Sequence, residues 1–170
     1  MAYDYDKLYG ETPDALGKPS SMFVDFFDQL DQKNVRVLDV GCGQGRDALF
    51  IARRGHRVVG VDISVNGISE LKDVARLENL PVEGVVADIA IYEPDGLFDV
   101  ILIDRTLHML ALTTRLAVLE VFLDHVIEGG WLLIADEASN IKEFENAISG
   151  HEANWKAEHT RRGYLFLRRS

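Results

Sequence analysis

The sequence predicts an α/β fold with a mainly parallel seven-stranded sheet that ends in an antiparallel C-terminal hairpin. Three observations carry this expectation. Strand-like and helix-like segments alternate along most of the chain. An apolar, β-branched run, Val35 to Val40, leads directly into three closely spaced glycines, Gly41, Gly43 and Gly45. The tail then breaks the alternation with two short β-patterned runs on either side of Arg161-Arg162.

A first helix is expected over 21–32, because Met22, Phe23, Phe26, Phe27 and Leu30 share one face and Pro19-Ser20 marks its start. Strand one follows at 35–40 and a helix at about 46–54, with Gly55 suited to its end. Strand two is expected at 57–62 and a helix at 65–78, striped by Ile68, Leu71 and Ala75. Strand three is expected at 82–88, ending in Asp88, and strand four at Phe98 to Asp104. A helix at 113–127 precedes the Gly129-Gly130 turn into strand five, Trp131 to Asp136. A helix near 141–148 comes before the hairpin runs Trp155 to Thr160 and Gly163 to Arg168.

Bulk properties narrow the function. A chain of 170 residues suits one compact domain, with 1–33 as an N-terminal cap segment and helix and 34–170 as the core. The net charge of −10 argues against a nucleic-acid partner, which needs clustered cations. Arg161, Arg162, Arg168 and Arg169 are expected to be a solvated hairpin surface. Cys42 is the single cysteine, so no internal disulfide and no cysteine metal cluster is expected. Met1 to Gly10 lacks the apolar run of a signal peptide, and no apolar stretch is long enough to cross a membrane. A cytoplasmic setting is expected.

The glycine spacing discriminates between ligands. The dinucleotide pattern is G-x-G-x-x-G. Counted from Gly41, its third glycine falls on Arg46. The pattern here is G-x-G-x-G after an acid, Asp39. The loop and the start of the next helix are expected to offer free amides to a ligand. Acids also recur where strands end: Asp62, Asp88, Asp104 and Asp136. Ligands of open α/β sheets bind beyond that edge. Asp62 follows Gly41 by about the interval of a ribose-binding acid.

Four segments, VLDVGCGQGRDA, VVGVDIS, VVADI and FDVILIDRTLHML, resemble the class I S-adenosylmethionine (SAM) methyltransferases in order and spacing. The resemblance implies a Rossmann-like class I methyltransferase sandwich. It implies a SAM site at Asp39, Gly41, Cys42, Gly43, Asp62, Ile63, Asp88, Ile89, Asp104 and Arg105. By this resemblance Asp62 takes the ribose hydroxyls and Ile63 the adenine face. Asp88 and the Ile89 backbone meet the adenine edge, and Asp39 orders the loop and the α-ammonium. The stretch Tyr5 to Ser20 resembles the entry segment of thiopurine-type and tellurite-resistance-type methyltransferases, which folds over the cofactor. That likeness adds Tyr9 to the site. Asp14 stands where the thiopurine-type pattern commonly has Trp.

His108, after strand four, is the candidate to orient a nucleophile or accept its proton. Arg105 is the candidate for an anionic group. His56 is expected at the surface, and His125, His151 and His159 show no clustering with these residues. The expected activity is methyl transfer from SAM to a small-molecule nucleophile, a thiol or chalcogen species among them, with S-adenosylhomocysteine (SAH) as product. No metal is expected. A non-catalytic SAM or SAH sensor or partner subunit is the alternative. A nicotinamide oxidoreductase is a third reading, and the spacing and the hairpin speak against it. The acceptor atom and the oligomeric state are not specified.

Overall fold

A computed structural model describes residues 3–170. The seven strands form a mixed, mostly parallel sheet. The backbone falls into two compact units, Met1–Asp88 and Ile89–Ser170.

In the first unit β1 (Arg36–Val40), β2 (Arg57–Asp62) and β3 (Val82–Val86) run parallel in the order β3-β2-β1. Val40 stands opposite Val61, and Asp62 opposite Val86, so the three strands end on one rim. Val37, Leu38, Val40 and Val61 are fully buried, as β-branched and leucine side chains on interior strands should be. Four helices accompany them: α1 (Tyr5–Glu11), α2 (Ser21–Gln29), α3 (Arg46–Arg53) and α4 (Val65–Leu77). α3 packs on β2 and β3, and α4 packs on the same two strands and on α1.

The second unit orders its strands β4 (Phe98–Asp104), β5 (Val126–Ala135), β7 (Tyr164–Arg169) and β6 (Trp155–Arg161). β4 and β5 are parallel, and the β6–β7 hairpin joins β5 antiparallel. A 3₁₀ turn (Leu107–Met109), α5 (Leu112–Asp124) and α6 (Ala138–Ser149) complete it.

Most expected elements are present, and the departures have identifiable physical causes. α1 was not expected as a helix; Asp4 caps it by accepting from the Lys7 amide at 3.0 Å. α2 stops at Gln29 and not at 32, because the polar run 31–34 has nothing to bury. β3 stops at Val86, which leaves Asp88 exposed in the following loop. The helix expected over 113–127 ends at Asp124, and Val126 already pairs with Phe98. The Arg169 guanidinium donates to the carbonyls of Leu123 and Val126 there, satisfying the end of the helix. β5 is therefore longer than expected and carries Gly129-Gly130 in an irregularity of its pairing.

Candidate active site

The rim of the first unit is built around Asp62. Its Oδ2 accepts from the Gly43 amide at 2.9 Å and its Oδ1 from the Ser64 amide at 2.8 Å. A carboxylate offers about four lone-pair sites. Two bonds leave acceptor capacity on a side chain that is only partly buried. The loop amides are not free as expected. Gly41 and Cys42 both donate to the Val61 carbonyl (2.8 and 3.1 Å), and Gly45 donates to Cys42 (2.8 Å). These bonds fix the shape of the loop, so its contribution to a ligand is a rigid, side-chain-poor surface.

Asp39 is 2 % exposed, which suits an organiser of the loop better than an outward ligand group. Cys42 is buried with its Sγ over Gly60 of β2, so only its backbone is placed to face a ligand. Burial pushes its thiol well above the ordinary range. Ile63, by contrast, is 68 % exposed next to Asp62, an apolar side chain presented to solvent. Arg46, at the start of α3, donates through Nε and Nη2 to buried Asp47. Burial raises the Asp47 carboxyl and the guanidinium opposes that rise.

The N-terminal segment lies on this rim as a strap. Tyr9 is buried against the loop: a Cβ at Gly43, where φ is +54°, would sit 2.7 Å from its hydroxyl oxygen. A Cβ at Gly67 would crowd Tyr9 and the Gly43 backbone from the other side. Two absent side chains thus make the slot that the ring fills. Burial, with Asp62 nearby, pushes the Tyr9 phenol far above its ordinary value. Polar contacts that no local pattern announces hold the strap. The Asp6 carboxylate accepts from the Ser64 hydroxyl at 2.6 Å and from the Asn66 amide at 3.0 Å. Buried Gln44 reaches Tyr9, Thr12, Ala15 and Glu70.

In the second unit Asp104 closes β4, half-buried, with its carbonyl accepting from the Thr106 hydroxyl at 3.1 Å. Arg105 is exposed with φ +50°, and its amide is tied to the Ala135 carbonyl at 2.8 Å. Ile89 opens this unit and is buried. His108 is held through its backbone, which donates to Asp136 Oδ2 at 3.1 Å. Its Nδ1 lies 3.9 Å from that same oxygen, beyond hydrogen-bond range. Asp136 Oδ1 takes the Glu137 amide and the Asn140 side chain. Arg115 donates to the carbonyls of Leu107, His108 and Leu110, which locks the 3₁₀ turn.

One other expectation is corrected. His56 is not on the surface; it is 2 % exposed beneath Phe27, with ring centroids 5.8 Å apart. The C-terminal arginines lie on the hairpin surface as expected, with Arg161, Arg162 and Arg168 exposed and Arg169 half-buried. Arg168 and Arg169 bond backbone carbonyls, whereas Arg161 and Arg162 line a hollow with Lys142 and Glu145. Among the described residues no cluster of His, Cys, Asp or Glu could hold a metal ion, and no helix is long and apolar enough to cross a membrane.

Comparisons with known proteins accord with this geometry. The methyltransferase-domain family model matches residues 37–130. A 2-heptyl-1-hydroxyquinolin-4(1H)-one methyltransferase of Mycobacteroides abscessus is 31% identical over 112 residues, 65% of this chain and 49% of that protein. A probable SAM-dependent methyltransferase TehB of Haemophilus influenzae is 31% identical over 86 residues, 48% of this chain and 30% of that one. The chain therefore spans less than half the length of these relatives. A TehB-like SAM-dependent methyltransferase from Corynebacterium glutamicum superposes with TM-score 0.74 at 20% identity, over 97% of this chain and 96% of that one, a likeness of fold. The glycine loop, the acid closing β2 and the matched span together assign the chain: it belongs to the methyltransferase-domain family and has the class I SAM-dependent methyltransferase fold.

Proposed function

We propose that the whole chain, 1–170, acts as one domain that binds SAM and transfers its methyl group to a small-molecule nucleophile. The observation that carries this reading is Asp62, which pins the glycine loop through Gly43 and keeps acceptor capacity beside exposed Ile63. When bound, SAM supplies a methyl group on a sulfonium that a nucleophile displaces in line, leaving SAH.

The chain's residues bind and align. Asp62 accepts from the ribose hydroxyls, and Ile63 covers one adenine face. Asp88 and the Ile89 backbone read the adenine edge. Gly41, Cys42 and Gly43 give a backbone surface without projecting side chains. Asp39 orders that loop and the α-ammonium, and Tyr9 closes over the methionine portion. Asp104 and Arg105 complete the cofactor set. His108 orients the acceptor or takes its proton, with its backbone fixed by Asp136 and Arg115. Such alignment contributes roughly 7–11 kcal/mol in favourable cases and needs no metal. The acceptor classes to test first are thiols and chalcogen species, which react as anions with little help. A cytoplasmic setting accords with the single cysteine.

Calorimetry of the chain with SAM, SAH and NAD, followed by transfer of labelled methyl to a panel of small thiols, amines and carboxylates, tests this. SAM and SAH should bind and NAD should not; a labelled product should form with at least one acceptor. Binding of NAD alone would overturn the reading, and tight SAM binding without turnover on any acceptor would favour a sensor.

A further inference from the structure

We infer that Gln44, by sequence a mere spacer between two motif glycines, is a positioning residue that couples docking of the strap to occupation of the cofactor rim. This rests on the SAM reading above and deepens it. Gln44 is 6 % exposed and uses both ends of its amide. Its Oε1 accepts from the Ala15 amide at 2.8 Å. Its Nε2 donates to the Thr12 carbonyl at 2.8 Å and to Glu70 Oε2 at 2.6 Å, with the Tyr9 carbonyl at 3.4 Å sharing a proton. Three oxygens face the nitrogen and one N–H faces the oxygen, so only one orientation of the amide satisfies its surroundings.

The strap partners Tyr9, Thr12 and Ala15 span the second half of α1 and the turn beyond it. Glu70 on α4 adds a second hold, since its Oε1 accepts from the Asp14 amide at 3.3 Å. The loop end of the link is equally constrained. Gly43 and Gly45 flank Gln44, one amide tied to Asp62 and the other to Cys42. Gln44 therefore cannot shift without moving either the strap or the backbone that Asp62 pins. Tyr9, the strap residue that fills the slot over Gly43, is within this grip. A ligand that fixes the loop fixes the strap, and a docked strap retains the ligand. Linkage makes the two effects equal in size.

Amide hydrogen exchange of the intact chain, with and without SAH, combined with SAH titration of Gln44→Leu and Glu70→Ala, tests the coupling. In the wild type, SAH should slow exchange across residues 5–15. Gln44→Leu should bind SAH about tenfold more weakly, the scale of one or two lost hydrogen bonds, and SAH should no longer slow its strap. Amides of β1 and β2 should exchange as in the wild type. By linkage, the slowing seen in the wild type should match the affinity lost in the variant. Glu70→Ala, on the partly exposed face of α4, should shift both readouts the same way by a smaller factor, and it carries the test alone if Gln44→Leu does not fold. Wild-type binding of SAH with variants that bind equally well, or with strap exchange indifferent to SAH, overturns the coupling and leaves the cofactor reading standing. A wild type that does not bind SAH brings down both.

Discussion

Asp62 and Asp136 each stand at the end of a parallel strand, β2 and β5, and each accepts from backbone amides that follow in the chain or across the rim. They differ in what is left over. Asp62 spends two bonds and remains partly open to solvent. Asp136 takes the amides of His108 and Glu137 and the Asn140 side chain, and its own side chain is 0 % exposed. The same residue type at the same kind of position thus keeps acceptor capacity open in one unit and is a structural anchor in the other. Residual acceptor capacity, and not position at a strand end, separates the two.

The largest expected effect tests the anchor. Asp136→Ala removes a fully buried carboxylate and strands three donors, the buried Asn140 amide among them, and should cost about 3 kcal/mol of stability, read as a lowered denaturant midpoint with an unchanged slope. A loss under about 1 kcal/mol would mean that water or another acceptor replaces the carboxylate. Asp62→Ala should do the reverse. It strands two donors and not three, at a carboxylate that is partly open to water, so stability should fall by about 1 kcal/mol. SAM affinity should fall about a hundredfold, the equivalent of two charge-assisted bonds of about 1.5 kcal/mol each. If the two variants lose stability equally and SAM binding survives, the contrast between the acids disappears.

The smallest effect concerns any acid titration used to compare them. Burial beneath Phe27, with Lys33 and Arg54 adding to it, holds the folded-state pKa of His56 below its ordinary value of 6.5. Between the two values the unfolded chain binds the extra proton. Stability is therefore full above about 6.5 and declines as pH falls through that value toward the folded one. His56→Phe should flatten this slope. A slope unchanged in that variant would assign the acid sensitivity to other groups.

Some of this was legible in the sequence because it is local. β2 and β4 match their expected bounds, since runs such as Val58-Val59 and Val100 to Ile103 have no other stable place than an interior strand. Asp62 and the glycine loop were legible for the same reason: the turn needs glycine, and the acid follows at a fixed interval. The remainder depends on partners far along the chain. α1 is seven residues long, too short to stand alone, and forms because Asp6 finds Ser64 and Asn66. The loop amides looked free because the Val61 carbonyl that consumes two of them belongs to the next strand. Gln44 looked like filler because its partners lie 26 to 35 residues away. His56 looked exposed because nothing nearby in sequence shows that Phe27 covers it.

The distance between Asp6 and its partners has a consequence for synthesis. The strap leaves the ribosome before Ser64, Asn66 and Glu70, which help to hold it in place. Tyr9 can enter its slot only after Gly67 has been translated. The strap is made before the surface it docks on, and until that surface has formed its tyrosines remain open to chaperones and proteases.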